Sequence, residues 1–169
     1  ETPEGQSVGV VKNLSSMTHI TIASLTKPLI SIISKEVYSS EELNNKETSL
    51  LENGVKVFIN GNWIGIAKNP IYLYNLMKNK KYNGEINIYT SIVFIYTKKE
   101  IYICNEAGRM TRPLFRVSET NKLFYNESIA RKLQNKELSW ENLLTSQVLP
   151  HSVIEYLDAE EQMHSLIAM

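Results

Sequence analysis

"VKVFINGNWIGIAKNP", residues Val55 to Pro70, carries the clearest structural instruction in the chain. Two runs of alternating apolar and polar residues flank Asn60-Gly61. An Asn-Gly pair suits the central positions of a type I′ turn, because both residues tolerate positive φ. The spacing predicts a β-hairpin with Val55, Val57 and Ile59 on one face and Lys56, Phe58 and Asn60 on the other. Trp63 follows the turn, either as a half-buried packing residue or as an exposed aromatic for a partner. Asn69-Pro70 then reads as the cap and first turn of a helix to about Lys80, with Leu73, Leu76 and Met77 on its inner stripe. Tyr82-Asn83-Gly84 ends it.

Upstream of the hairpin, Lys27-Pro28 opens a helix whose apolar side holds Leu29, Ile30, Ile32 and Ile33. Val10, Val11, Leu14 and Met17 fall at helical spacing and predict a short helix within Val8 to Met17. Thr18 to Leu25 alternates loosely, as a strand would. Ser39 to Gly54 is polar without a strong period and reads as a linker or surface excursion, and as the best internal boundary. Downstream, Glu85 to Val117 holds three or four β runs rich in Ile, Val, Tyr and Phe, with turns at Thr97–Glu100 and Asn105–Gly108. Two helices follow between Tyr125 and Ser146; the second is capped by Ser139 and turns Trp140, Leu143 and Leu144 inward. Val153 to Leu157 is a strand, and Asp158 to Glu161 an acidic helix start. The pattern is α+β, with short helices and antiparallel hairpins in mixed order.

Composition excludes several classes. The 169 residues are 43% hydrophobic and 21% charged, which is globular. No apolar run reaches the length of a membrane span, and no membrane role is expected. The formal net charge is +0, so electrostatics alone does not predict a nucleic-acid binder. Cys104 is the single cysteine, expected as a buried structural thiol, and His19, His151 and His164 offer no zinc spacing. A reducing compartment fits this cysteine usage, whether nucleus, cytoplasm or, for a large DNA virus, virion or viral factory; secretion does not fit.

"ETPEGQSVGVVKNLSSMTHI" (from Glu1), "VFINGNWIGIAKNP" (from Val57), "NEAGRMTRPLF" (from Asn105) and "IEYLDAEEQMHSLIAM" (from Ile154) occur in this order. Together they resemble the second-largest, β-type subunit of multisubunit DNA-directed RNA polymerases of the eukaryotic, archaeal and large-DNA-virus kind. The resemblance spans essentially the whole chain. It implies that residues 1–25 close the fork region near the active centre. Residues 26–82 would form a first, domain 4-like part of the region called external 2, and residues 83–169 a second, domain 5-like part. It also implies that both termini are internal to a longer parent, with a Cys-Pro pair before Glu1. Asn105 stands where the family more often has Asp. Ser39 to Glu52 and the stretch around Ser91 look shortened.

The resemblance further implies a role in DNA-templated RNA synthesis, a nucleotidyl transfer, with no catalysis by this piece alone. Carboxylates holding Mg²⁺ would lie outside it, so no cofactor and no metal is expected on the chain itself. The largest subunit, other polymerase subunits, the DNA template and the RNA–DNA hybrid are the implied partners, with no homo-oligomer. Glu1, Pro3, Glu4, Gly5 and Gln6 are the implied residues near the active centre; otherwise Pro3 and Gly5 only shape a bend. Lys12 and Asn13 could meet nucleic acid, or Lys12 could be a solvated surface lysine. Arg109 and Arg112 flank a turn, as a phosphate or carboxylate clamp or as a salt bridge locking the hairpin. Asn60 and Gly61 are structural. Asp158, Glu160 and Glu161 could suggest a metal, but acids at a helix start also complement its dipole. Two other classes stand beside the polymerase reading: a free-standing protein-interaction module, and a small metal-dependent phosphohydrolase.

Overall fold

The hairpin forms in the computed structural model, which describes residues 3–43 and 48–168. Strands β3 (Lys56–Ile59) and β4 (Asn62–Ala67) pair antiparallel around Asn60 and Gly61, whose φ angles are 49° and 80°. Val57 and Ile59 are buried, as the alternation requires, and Phe58 stacks on Tyr102 on the other face. Among the described residues the earlier elements are β1 (His19–Ile20), α1 (Lys27–Ile33), β2 (Val37–Tyr38), α2 (Ser40–Leu43) and α3 (Thr48–Asn53). The later ones are α4 (Pro70–Asn83), β5 (Ser91–Ile95), β6 (Glu100–Cys104), β7 (Met110–Phe115), α5 (Glu127–Gln134), α6 (Trp140–Leu144), β8 (Ile154–Asp158) and α7 (Ala159–Met163).

Two sheets result. One has five strands in the order β2-β4-β3-β6-β5, the other three in the order β1-β7-β8. Within the larger sheet β3 pairs with β6 in parallel, from Lys56 opposite Glu100 to Ile59 opposite Ile103. That contact joins the 26–82 and 83–169 stretches in one sheet. Strands β5 and β6 are the second hairpin, and β7 pairs antiparallel with β8. The α+β class stands.

Helix α4 covers the larger sheet. Asn69 caps it by accepting from the Tyr72 N–H at 3.1 Å, and Leu73 and Met77 enter the core. It runs to Asn83, beyond the expected Lys80, because Gly84 supplies the left-handed stop at φ 76°. The larger core gathers α1, α4 and the five strands around Val57, Ile59, Ile92, Ile101 and Ile103. A separate apolar cluster, Ile129, Leu143, Val153 and Ile154, packs α5 and α6 near β8. Ser139 caps α6 with a full capping box to Asn142.

Several local expectations are corrected. Val8 to Met17 is not a helix: Gly9 and β-branched Val8, Val10 and Val11 disfavour one, and no surface receives its stripe. Thr18 to Leu25 contributes only the two residues of β1, paired with Met110 and Thr111. The Ser39–Gly54 linker holds two short helices, with residues 44–47 outside the described set. Ser39 and Glu42 form the reciprocal capping bonds of the first, at 3.3 and 3.4 Å. Trp140 is 40% exposed, since Leu143 takes the core position. Cys104 is half-buried, because Ile101 and Ile103 occupy the core-facing parity of β6.

Candidate functional site

Pro3, Glu4, Gly5 and Gln6 form an exposed turn. Gly5 has φ 80° and opens a single turn of 3-10 helix, closed by Val8 N–H donating to the Gly5 carbonyl at 3.2 Å. A residue with a Cβ would be strained there. Glu1 lies outside the described residues. From Val8 to Ser15 the chain has no regular secondary structure, with Lys12 and Asn13 exposed. Val8, Val10, Leu14, Ile22 and Leu25 are exposed along the same arm.

The arm is anchored from His19, whose carbonyl accepts from the Thr111 hydroxyl at 3.0 Å, and then at Thr21. The Thr21 N–H donates to the Arg109 carbonyl at 3.0 Å, and the Gly108 N–H donates to the Thr21 carbonyl at 2.9 Å. The Thr21 hydroxyl accepts from the Arg109 N–H at 3.0 Å and donates to the Glu106 carbonyl at 2.9 Å. Asn105 makes the second anchor. Its amide nitrogen donates to the Ser24 carbonyl at 2.9 Å. Its amide oxygen accepts from the Asn60 Nδ2 at 2.8 Å and from the Thr26 hydroxyl at 3.2 Å. Its backbone N–H donates to Asn60 Oδ1 at 3.0 Å. Asn60 thus does more than bend the hairpin: it pins the turn to the loop that holds the arm. A carboxylate at position 105 could not make the donation to Ser24.

Arg109 extends the anchor toward β8. Its guanidinium donates to Asp158 Oδ2 at 2.9 Å, the Tyr89 carbonyl at 2.8 Å and the Glu106 carbonyl at 3.0 Å. The salt bridge reaches the start of α7; it does not span the hairpin turn beside which the sequence places it. Arg112 is half-buried on β7 and makes no ion pair among the described residues. Trp63 is 44% exposed, its indole N–H donating to the Gly65 carbonyl at 3.0 Å.

Of the acids after Leu157, Asp158 and Glu161 are held by dedicated partners, while Glu160 is exposed. Asp158 caps α7, accepting from the Glu161 N–H at 2.9 Å. Glu161 is buried and accepts from Lys78 at 2.9 Å, Lys81 at 3.2 Å and the Ile92 N–H at 3.2 Å. Glu155 accepts from Lys78 at 2.8 Å and from the Tyr82 hydroxyl at 3.0 Å. Burial alone would raise the Glu155 carboxyl; Lys81 and Lys78 beside it outweigh that and bring it down to about 2. For Lys78, burial works against the charge, but Glu155 and Glu161 hold its pKa well above the ordinary lysine value. Among the described residues no group of three or more His, Cys, Asp or Glu is placed to hold a metal ion. This cluster escaped the sequence reading. Its signal was Lys81, which continues the Leu73 and Met77 stripe at a spacing of four where an apolar residue belongs.

Turn, arm, anchor and buried acids can now be set beside known proteins. Residues 57–118 match the family model described as RNA polymerase Rpb2, domain 4. Over 169 residues, and all of this chain, 41% are identical to the DNA-directed RNA polymerase II subunit RPB2 of Encephalitozoon cuniculi. The chain belongs to the family of second-largest RNA polymerase subunits. The same subunit of Schizosaccharomyces pombe is 33% identical, and DNA-directed RNA polymerase subunit 2 of Acanthamoeba polyphaga mimivirus 34%, each over the whole chain. The chain spans only 14–15% of the length of these Rpb2-type relatives. It is therefore one part of the second-largest subunit, α+β in fold, and the match includes the exposed turn at Pro3–Gln6.

Proposed function

We propose that the chain serves DNA-templated RNA synthesis as a non-catalytic part of an RNA polymerase, presenting the Pro3–Gln6 turn toward the active centre from a rigid α+β body. Alignment with polymerase subunits over the entire chain, turn included, is the observation that carries this reading. The geometry agrees in kind: the turn stands exposed, and its arm is tied down from His19 onward. Glu4 would act by position and charge near the reacting nucleotide, while Lys12 or Asn13 would meet a phosphate. The Mg²⁺ of the reaction would be held by residues elsewhere in the assembly. The partners would be the largest subunit, other subunits, the template and the hybrid, and the setting the nucleus for a cellular polymerase.

Glu4→Ala in the assembled polymerase tests the role of the turn. The reading expects extension to slow by more than assembly falls. Equal loss of both would make the turn architectural only.

A further inference from the structure

The two apolar clusters of the body share no residue. Where α4 meets β8 and α7, much of the contact is polar and closed to water. Lys81 carries three donors and finds the Tyr156 carbonyl at 3.0 Å, Glu161 at 3.2 Å and Glu155 at 3.2 Å. Lys78 lies 2.8 Å from Glu155 and 2.9 Å from Glu161. The Ile92 N–H of β5 donates to Glu161 as well. Two ammonium groups on α4 thus hold one carboxylate from β8 and one from α7, and a main-chain group of the larger sheet joins them.

We propose that Lys78, Lys81, Glu155 and Glu161 form a lock that holds the two sheets as one rigid unit, and that loss of one charge turns this junction into a hinge. The reasons are physical. Apolar faces tolerate sliding, whereas buried charges with fixed partners accept one register. Each charge here is matched, so removing one leaves an opposite charge buried and unpaired, and the junction must admit water to relieve it. The cores on either side keep their own packing and remain folded. The other groups facing the cluster are Tyr74 and Tyr82 on α4, with Arg116, just after β7, stacked 3.4 Å from the Tyr82 ring centroid. Tyr82 donates to Glu155, and burial with the neighbouring Glu155 charge raises its pKa, so it stays protonated. This device does not depend on a role in transcription.

Native-state amide hydrogen exchange on the full chain tests it. At neutral pH the β8 amides (Ile154–Asp158) and the β5 and β6 amides exchange through a common opening. In Glu161→Gln and in Lys81→Met the two sets part by roughly tenfold or more. Two sets that stay together in both variants, or that already differ in the unaltered chain, overturn the lock. Acidification of the unaltered chain reads the same device if a variant does not fold: the sets part as pH falls from 4.5 toward about 2, the interval over which Glu155 is protonated in the opened junction but still ionised in the closed one. A single concerted loss of both sets in that interval overturns it.

Discussion

Lys81 and Glu161 face each other at 3.2 Å with side chains only 2% exposed. Lys81 reaches Glu161 from the apolar stripe of α4, and Glu161 is oriented by the cap that Asp158 sets on α7. A pair this deep is costly to break from one side. Lys81→Met should lower stability by about 3–5 kcal/mol, because Glu161 loses part of its compensation. Adding Glu161→Leu should return part of that loss, since Lys78 still pairs with Glu155. Urea unfolding midpoints of the two single variants and the double variant check this. Strict additivity would mean the pair is not coupled.

Acid should weaken the fold through Glu155. Its folded pKa lies at about 2, below the ordinary 4.5, so the stabilisation is fully present above 4.5 and is lost as pH falls through 2. The loss amounts to about 3 kcal/mol. Glu155→Gln should flatten this part of the pH–stability profile, as measured by denaturation at stepped pH. An unchanged slope would remove Glu155 from the account.

Replacing Asn60-Gly61 by Val-Val should cost on the order of 3 kcal/mol. Both positions have positive φ, which β-branched residues resist, and Asn60 also makes two hydrogen bonds to Asn105. Thermal melting measures the loss. An unchanged melting point would refute the turn.

Gly65→Ala should loosen β2 from β4. A Cβ at Gly65 would lie 2.1 Å from the Tyr38 carbonyl oxygen, a main-chain atom that cannot swing aside. The expected cost is roughly 1–3 kcal/mol. Faster amide exchange at Lys68, whose N–H donates to the Glu36 carbonyl beside β2 at 3.0 Å, with β6 unchanged, would report local detachment. Full retention of the β2–β4 pairing would contradict the close approach.

The parts of this fold legible in sequence are those with local causes. Asn60-Gly61, Asn69-Pro70, Gly84 and Ser139 each act through backbone chemistry within a few residues, and each does as expected. Ser39 and Glu42 carried the same kind of signal, a Ser with Glu three residues on, inside a stretch read as linker. The parallel β3–β6 pairing was not legible, because partners 44 residues apart, such as Lys56 and Glu100, leave no local period. Nor was the anchor at Asn105, whose bonds reach Ser24 and Asn60 across the chain. Val8 to Met17 misled because helical spacing of apolar residues also occurs by chance in an irregular arm. Of the candidate site, the turn at Pro3–Gln6 was read through family resemblance, while the buried lysines and glutamates needed tertiary structure to find one another.

The claim on which the account rests is that this polypeptide works within a polymerase. Affinity isolation of the chain from its native cell, followed by identification of what accompanies it, tests this most directly. The account predicts the largest RNA polymerase subunit in equal amount and template-dependent RNA synthesis by the isolate. Recovery of the chain free of any polymerase subunit would contradict it.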